Sequence, residues 1–590
     1  IRLMSGICGL FNLDGKPVTG AEIAAMTAML ETRGPDGTDQ WVNGPTGLGH
    51  TLLATTPDSE VESQPWVHAE SGCAITADVR LDNRDDLIAL LARGRSPDST
   101  GDAELILLAY LEWGEDCPKH LLGDFAFAIH DQRRNRMFCA RDHSGMRLLY
   151  YHHDPQRLFV VATSPKAILV LPQVPYVLSQ VRIADFLVGD LEWIDLTSTF
   201  FDGVSRLPPG HRISVSPERI DVSEYWRPEP GPAPGLRSDS EWHEAFLELF
   251  TRAVDCRLRV PPGRPGATLS GGMDSGTVVA VASDILSRAQ QGKLPTYSGT
   301  LTPDPAHLEA REVEAIAAAT AMESISPTLI LPENLQRDFS AMMAGNEEPF
   351  DGHCVLLKAI YAAAASDGRK VVLDGAAGDV VLGEGSYLIR LIRSGHLVRA
   401  ITEIAGANRF WGGGPLAKDL FLAFRSALAP EFIKRFRRRQ HTTNLESYFE
   451  SSPIGREFAE SVNIGERFLK QAQMFPREWE PDYPTETCRA IRPNLTAGRE
   501  RYARLAANAG LEASDPFMDK RLIEFCAHLP GHLRHRDGWP KRILRDTMQG
   551  RIPDAVRWAR GKRHVGWVFN VSISKNAIDS GALALEHLQQ

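Results

Sequence analysis

The stretch TLSGGMDSGTVVA, Thr268 to Ala280, decides the fold of the second half of this chain. Its SGGMDS centre sets two glycines, two serines and an aspartate between a short apolar strand, 267–269, and a helical run. Gly271 and Gly272 permit tight, left-handed turns because no Cβ stands in the way. Their N–H groups, with those of the helix N-terminus, form a concave anion site backed by the helix dipole. Ser270 and Ser275 add hydroxyl donors. Asp274 is the odd member, since a carboxylate beside a phosphate repels it unless a cation bridges the two. It is therefore a magnesium-ligand candidate. A plain glycine-rich turn with a serine cap would account for a bare GG, but poorly for SGGxDS between strand and helix. No GK[ST] follows, so this is not a Walker A loop.

A second glycine-rich segment, VVLDGAAGDVVLG (Val371 to Gly383), also follows an apolar strand and carries Asp379. Two acids from the carboxyl ends of two parallel strands can hold magnesium over a triphosphate, where α/β sheets place their ligands. Amphipathic stretches such as SEWHEAFLELFTRAVDCRL alternate here with short strands (267–269, 296–301, 370–375), the pattern of a parallel sheet covered by helices. From about residue 385 onward the pattern is mostly helical. Before the Pro/Gly-rich seam RPEPGPAPGLRSDS (Arg227 to Ser240), β-rich runs at 125–131, 136–142, 148–154 and 157–163 read as an antiparallel sheet. Helical patterns at 20–34 and 102–114 make that half α+β.

The 590 residues exceed a single core, and a prior of roughly 150 residues per domain gives two to four domains. A net charge of −10 from 65 basic and 75 acidic side chains argues against a bulk nucleic-acid binder. No apolar run approaches the roughly 20 residues of a membrane span. The opening residues lack a signal peptide, and Met4 reads as the natural start. The eight cysteines are scattered with no CxxC pair, so neither zinc nor a disulfide framework is indicated and a cytoplasmic setting is expected.

The SGGMDS loop resembles the pyrophosphate loop of the ATP-pyrophosphatase superfamily, and the chain as a whole resembles the asparagine synthetase family. In the first half the likeness runs through SGICGLFN (5–12), RGPDG (33–37), GLGH (47–50), GDAELIL (101–107), GDFAFAIHD (123–131) and ARDHSGMRLLYY (140–151). In the second it adds DPFMDKRLIEF (515–525), KRILRD (541–546) and IPDAVRWARGKRHVG (552–566). The resemblance implies an α+β glutaminase-like sandwich of the N-terminal-nucleophile type at 4–226, a linker at 227–238 and an α/β ATP-pyrophosphatase domain at 239–590. That second domain is expected to have a parallel sheet and added C-terminal helices. It implies ATP and magnesium as cofactors, with nucleotide contacts from Leu269, Ser270, Gly271, Gly272, Asp274, Ser275 and Gly375. Asp274 and Asp379 would ligate the metal, and Lys562 in WARGKRH matches the family's catalytic lysine.

The departures from the family narrow the reaction. The family's glutaminase nucleophile is an N-terminal cysteine whose own amine is the base, whereas Cys8 follows Gly6 and Ile7 and has an amide nitrogen. Leu52 stands where the family has an arginine, and DVRLDN (78–83) replaces NGEIYN. Asp102 alone fits a contact to a glutamine amine. A leucine cannot clamp a carboxylate, nor an aspartate donate to an oxyanion hole. Three residues before Asp379, asparagine synthetases have a glutamate and β-lactam synthetases a tyrosine, but this chain has Ala376. What remains is adenylation followed by attack of an amine already on the substrate, the chemistry of the lasso peptide cyclases. That resemblance implies a precursor or core peptide as substrate, with a leader peptidase and a leader-recognition protein as partners. A small-molecule amide synthetase and an inactive nucleotide- or peptide-binding scaffold are the alternatives. The basic run FIKRFRRRQH (432–441) reads as the solvated face of a helix or a grip on an acidic partner, and the acids of NEEPFDGH (346–353) as candidates to line the site. If Lys562 stabilises the oxyanion, Lys562→Ala should lower the turnover of a folded protein by about 10² or more, and undiminished turnover would remove it from the mechanism.

Overall fold

The chain is described from a computed structural model covering residues 5–34, 36–60, 62–92, 100–188, 190–229, 234–261, 265–299, 325–330, 346–349, 354–383, 387–430, 454–474 and 492–561. Lys562 and the run 432–441 lie outside the described residues. The first half holds strands β1 (Gly6–Asn12), β2 (Gly37–Asn43), β3 (Thr46–Leu52), β4 (Trp66–His68), β5 (Cys73–Leu81) and β6 (Gly123–Asp131). They are followed by β7 (Arg136–Arg141), β8 (Tyr150–Asp154), β9 (Leu158–Ala162), β10 (Ser205–Arg206), β11 (His211–Ser216) and β12 (Arg219–Glu224). They make two six-stranded sheets in the orders β10-β8-β9-β1-β3-β2 and β12-β11-β7-β6-β5-β4.

Residues on both faces of the central strands β1, β6 and β9 are apolar, which forces burial on both sides. In β1, Ile7 and Phe11 pack toward the second sheet with Ala126, Ala128 and Met137, while Cys8 and Leu10 pack under helix α1 (Gly20–Ala28) against Ile23 and Met26. In β6, Phe125, Phe127 and Ile129 face helix α2 (Asp102–Trp113). The result is four layers, helix–sheet–sheet–helix, consistent with the expected α+β sandwich.

The second half is built on a five-stranded sheet. Its strands are β13 (Pro265–Thr268), β14 (Leu294–Gly299), β15 (Ile325–Ile330), β16 (Val371–Leu373) and β17 (Glu512–Ser514), in the order β15-β14-β13-β16-β17. Every pairing in it is parallel. Helix α3 (Asp239–Asp255) starts on a capping box made by Ser238 and Glu241, right after the seam. Helices α4 (Met273–Arg288), α5 (Val355–Ser366) and α6 (Pro493–Ala509) follow. The chain lays down β13, β14 and β15 in one direction, then returns to the other side of β13 for β16 and β17. The order therefore reverses between β13 and β16, and the crevice beyond their carboxyl ends is where such sheets bind ligands. The mostly helical pattern expected from about residue 385 onward also holds a strand of the main sheet. β17 is three residues long and without the β-branched run that announces a strand.

The two halves meet through buried ion pairs as well as an apolar cluster in which Ala184, Leu191 and Ile194 pack with Ile454, Ala459 and Phe468. Glu500 on α6 lies 2.9 Å from Arg141 and 2.7 Å from Arg206, with all three side chains at most 1% exposed. Glu512 of β17 lies 2.9 Å from Arg147 and 3.5 Å from Arg80, and Arg257 lies 3.2 Å from Asp519 and 3.6 Å from Asp82. Burial alone would raise the Glu500 carboxyl, but Arg206, Arg141 and Arg504 pull it from an ordinary 4.5 down to about 2. Its stabilising charge is thus fully present above the unfolded value and is lost as pH falls from 4.5 through about 2. Glu500→Gln, which strands two buried guanidiniums, should cost about 3–5 kcal/mol at neutral pH by denaturant unfolding. It should also flatten that part of the acid-unfolding curve, and an unchanged curve would show that the pair does not set acid stability.

Candidate active site

The residues singled out around SGGMDS converge at the β13/β16 switch point. The strand ends at Thr268, one residue earlier than expected, and Leu269 is buried, with its N–H donating to the Tyr297 carbonyl at 3.0 Å. Ser298 Oγ donates to the Leu269 carbonyl at 2.5 Å, fixing where the loop leaves the sheet. Gly271 has φ +77°, a conformation that L side chains rarely adopt, and Gly272 is the N-cap of α4 without any side-chain cap. The first N–H groups of a sixteen-residue helix are therefore left facing the crevice.

The helix begins at Met273, so Asp274 sits with Ser275 in its first turn, whereas the sequence predicts a loop running from Ser270 to Asp274. Ser275 Oγ accepts from the Ser270 amide at 3.1 Å and lies 2.9 Å from Ser270 Oγ. The two hydroxyls thus brace the loop as well as lining it.

The second loop lies directly on the first. A Cβ on Gly375 would come within 2.8 Å of the Asp274 carbonyl carbon and the Ser275 nitrogen, and one on Gly378 within 2.6 Å of the Asp274 carboxyl carbon. This is the physical reason for the glycines of DGAAGD. They let Asp379, half exposed at 50%, approach Asp274 at 17%. Between the two acids stands the ammonium of Lys541, in contact with Asp274 Oδ2 and 2.5 Å from Asp379 Oδ1. Lys541 holds φ +56° immediately before the helix Arg542–Thr547. Two carboxylates aimed at one cation are a donor set that suits magnesium, an oxygen-seeking ion. The uncapped helix start beside them suits the phosphates that such an ion accompanies. Ser270, Gly271, Gly272, Asp274, Ser275, Gly375 and Asp379 are thus brought together. The sequence reading missed the placement of Lys541, although it stands in the quoted KRILRD motif.

Other expectations are redirected. Glu348 pairs with Arg504 at 2.8 Å and Glu347 lies 3.3 Å from Ser164 Oγ, so these acids face the junction of the two halves. Asp102 receives the Leu81 amide at 2.9 Å, Arg84 at 2.6 Å and Arg259 at 3.0 Å. The glutamine contact expected of Asp102 is therefore corrected to an internal ion pair. In DVRLDN, Asp78 faces Arg147 at 3.5 Å, and Arg80 lies 2.9 Å from Asp124. Cys8 lies inside β1 opposite Gly49 and Ala162, fully buried, and that burial pushes its thiol up to about 12.

Comparison with known proteins agrees with the geometry. The asparagine synthase pattern matches residues 245–582, more than half the chain, and a glutamine amidotransferase domain matches residues 4–226. The chain belongs to the asparagine synthase family. Like the family, it is an ATP-dependent amide-forming ligase. It is 25% identical over 587 residues to asparagine synthetase [glutamine-hydrolyzing] 3 of Bacillus subtilis, covering 94% of this chain and 86% of that one. It is also similar to two fungal proteins. Amidase chry2 of Gibberella zeae is 31% identical over 47% of this chain and 41% of its own. Amidase chyE of Penicillium rubens is 24% identical over 90% of this chain and 83% of its own. No helix among the described residues is long and apolar enough to cross a membrane.

The contact between the loops is open to direct test. Gly378→Ala places a methyl against the Asp274 carboxyl carbon and should cost about 1–3 kcal/mol of stability by thermal unfolding. It should lower ATP–pyrophosphate exchange by more than that destabilisation explains, and unchanged exchange would show that Asp274 tolerates displacement.

Proposed function

We propose that this ligase closes a macrolactam in a ribosomally made lasso-type peptide, joining an Asp or Glu side chain to the peptide's own N-terminal amine. The observation that carries the reading is the state of the first half. Cys8 is a buried strand residue bonded on both sides into the chain. The positions that would hold glutamine are spent in ion pairs: Asp102 with Arg84 and Arg259, and Arg80 with Asp124 and Glu512. An ammonia source is thus missing from the expected place, and the amine must arrive with the substrate. Ala376, where a glutamate or tyrosine would serve aspartate amidation or β-lactam closure, points the same way.

In this reading the substrate carboxylate attacks the ATP α-phosphorus, and pyrophosphate departs against Ser270, Gly271, Gly272 and Ser275. Asp274 and Asp379 are the residues that would hold magnesium, which would offset the charge developing on the leaving oxygens. With the ion bound there, the Lys541 ammonium would be available to the phosphates. Lys562 stabilises the oxyanion formed when the amine adds to the acyl-adenylate. An amine held beside the acyl group makes that addition effectively unimolecular. The core peptide is the substrate, supplied by a leader peptidase and a leader-recognition protein.

A second reading, a small-molecule amide synthetase, is favoured by one observation. The described cavity beside the second loop is only about 170 Å³, far less than a threaded peptide fills. Mass spectrometry separates the two. A linear, leader-free peptide with an N-terminal glycine and an internal Asp or Glu should lose one water in the presence of the protein, ATP and magnesium, with AMP released. Pyrophosphate exchange driven by aspartate or another small acid, without peptide dehydration, would establish the second reading instead.

A further inference from the structure

The cavity of about 170 Å³ lies on the far side of the second loop from SGGMDS, between β16, β17 and α6. Its wall is largely apolar, with Arg499, Tyr502 and a group of hydrogen-bond acceptors as its polar members. Asp374 follows β16 and Asp515 follows β17, so both acids stand just beyond the carboxyl ends of adjacent strands. Between them in the wall is Ser514, wholly buried, whose Oγ has no hydrogen-bond partner among the described residues. Asn494 Oδ1 on α6 is likewise buried and unpartnered among the described residues.

Both acids are bonded only to neutral donors. Asp515 accepts the Ala377 amide at 2.7 Å and the Phe517 amide at 2.9 Å. Asp374 accepts the Gly375 amide at 2.6 Å and Thr268 Oγ1 at 3.3 Å. Neither forms an ion pair among the described residues. The one cationic side chain in the wall, Arg499, donates to the Ser144 carbonyl at 3.0 Å and Thr496 Oγ1 at 3.2 Å. Burial, together with the charge of Asp374, raises the Asp515 carboxyl to about 7. A pair of half-desolvated carboxylates with buried neutral acceptors beside it lacks a compact cation that only donates. An ammonium, with three N–H donors and no acceptor, is that group.

We propose that this cavity is the seat of the attacking amine, held as its ammonium by Asp374 and Asp515 with Ser514 and Asn494 as neutral acceptors. One ammonium proton passes to the Asp515 carboxylate, the freed amine forms the C–N bond at the acyl carbon, and AMP leaves with the second proton. The inference rests on the amide-forming reading above and narrows it: the cavity admits the amine-bearing end of one residue, while the rest of the substrate lies outside. Asp374 and Gly375 are consecutive, and Gly375 touches the backbone of Asp274, so an amine here is one loop's width from the phosphate site.

The test uses the full-length protein and two kinds of substitution. Asp515→Asn and Asp374→Asn remove charge while keeping an acceptor. Gly498→Leu fills the cavity from α6, where an added Cβ meets nothing within 4 Å, and it replaces a mid-helix glycine, so folding should survive. Two readouts are taken. With the linear peptide, pyrophosphate exchange should stay within about twofold while dehydration falls at least about tenfold, the loss expected of a charge-assisted contact. With glycinamide alone, saturation-transfer NMR should detect binding to the unsubstituted protein, weakened at least about tenfold by each substitution. The second readout needs no turnover, so failure of the peptide reading leaves it decisive. Glycinamide binding that is absent, or indifferent to Gly498→Leu and Asp515→Asn, overturns the proposal. So does binding of acetate in its place, which would assign the cavity to a carboxylate facing Arg499.

Discussion

Everything at the candidate active site depends on two backbones touching where no side chain fits. Gly375 and Gly378 lie against Asp274 so closely that a methyl group on either would collide with it. That contact turns two separate strand ends into one crevice and places two carboxylates around a single cation. The parallel sheet supplies the geometry: β13 and β16 are neighbours in space although about a hundred residues apart in sequence, and the chain reverses its strand order between them. Like charges at this distance repel strongly unless neutralised, and here Lys541 does so. The loop before α4, with its left-handed Gly271 and uncapped helix start, then adds an anion site to a cation site.

Charges in the first half of the molecule act as a joint. Asp102, Arg80 and Asp78 all end in ion pairs. Arg80 reaches Glu512 and Asp102 is reached by Arg259, so these pairs fasten the sandwich to the second half. Buried pairs of this kind contribute less to net stability than their geometry suggests, because both partners lose their hydration. They specify one arrangement of the two halves, since any other leaves charges uncompensated.

How much of this was legible in the sequence differs by scale. The phosphate loop and its strand–helix setting were readable because glycine, serine and aspartate at fixed spacing carry a local mechanism. So were the period-2 runs of the sandwich, within a residue or two at their ends. β17 was not, since three residues with a glutamate and a serine hold no hydrophobic period and become a strand only through β16. The position of Lys541 was hidden for another reason: its ammonium travels to Asp274 across 267 residues, and a motif gives the residue without its destination. Asp102 misled because a lone carboxylate reads the same whether it faces a ligand or an arginine. Nothing local could reveal that Asp374 and Asp515 share a cavity, which only the adjacency of β16 and β17 creates.

Glu512 carries a consequence for how this protein can be dismantled. It begins β17, the outermost strand of the catalytic sheet, and its carboxylate is gripped by Arg80 and Arg147 from the sandwich. Two residues on, Ser514 and then Asp515 enter the cavity wall. The sandwich therefore acts on that wall like a hand on the end of a ruler, setting it from outside. Residues 239–590 cut free would keep Glu500 and Glu512 but lose Arg80, Arg141, Arg147 and Arg206. Cut free of the sandwich, that wall would lose the two guanidiniums that set it.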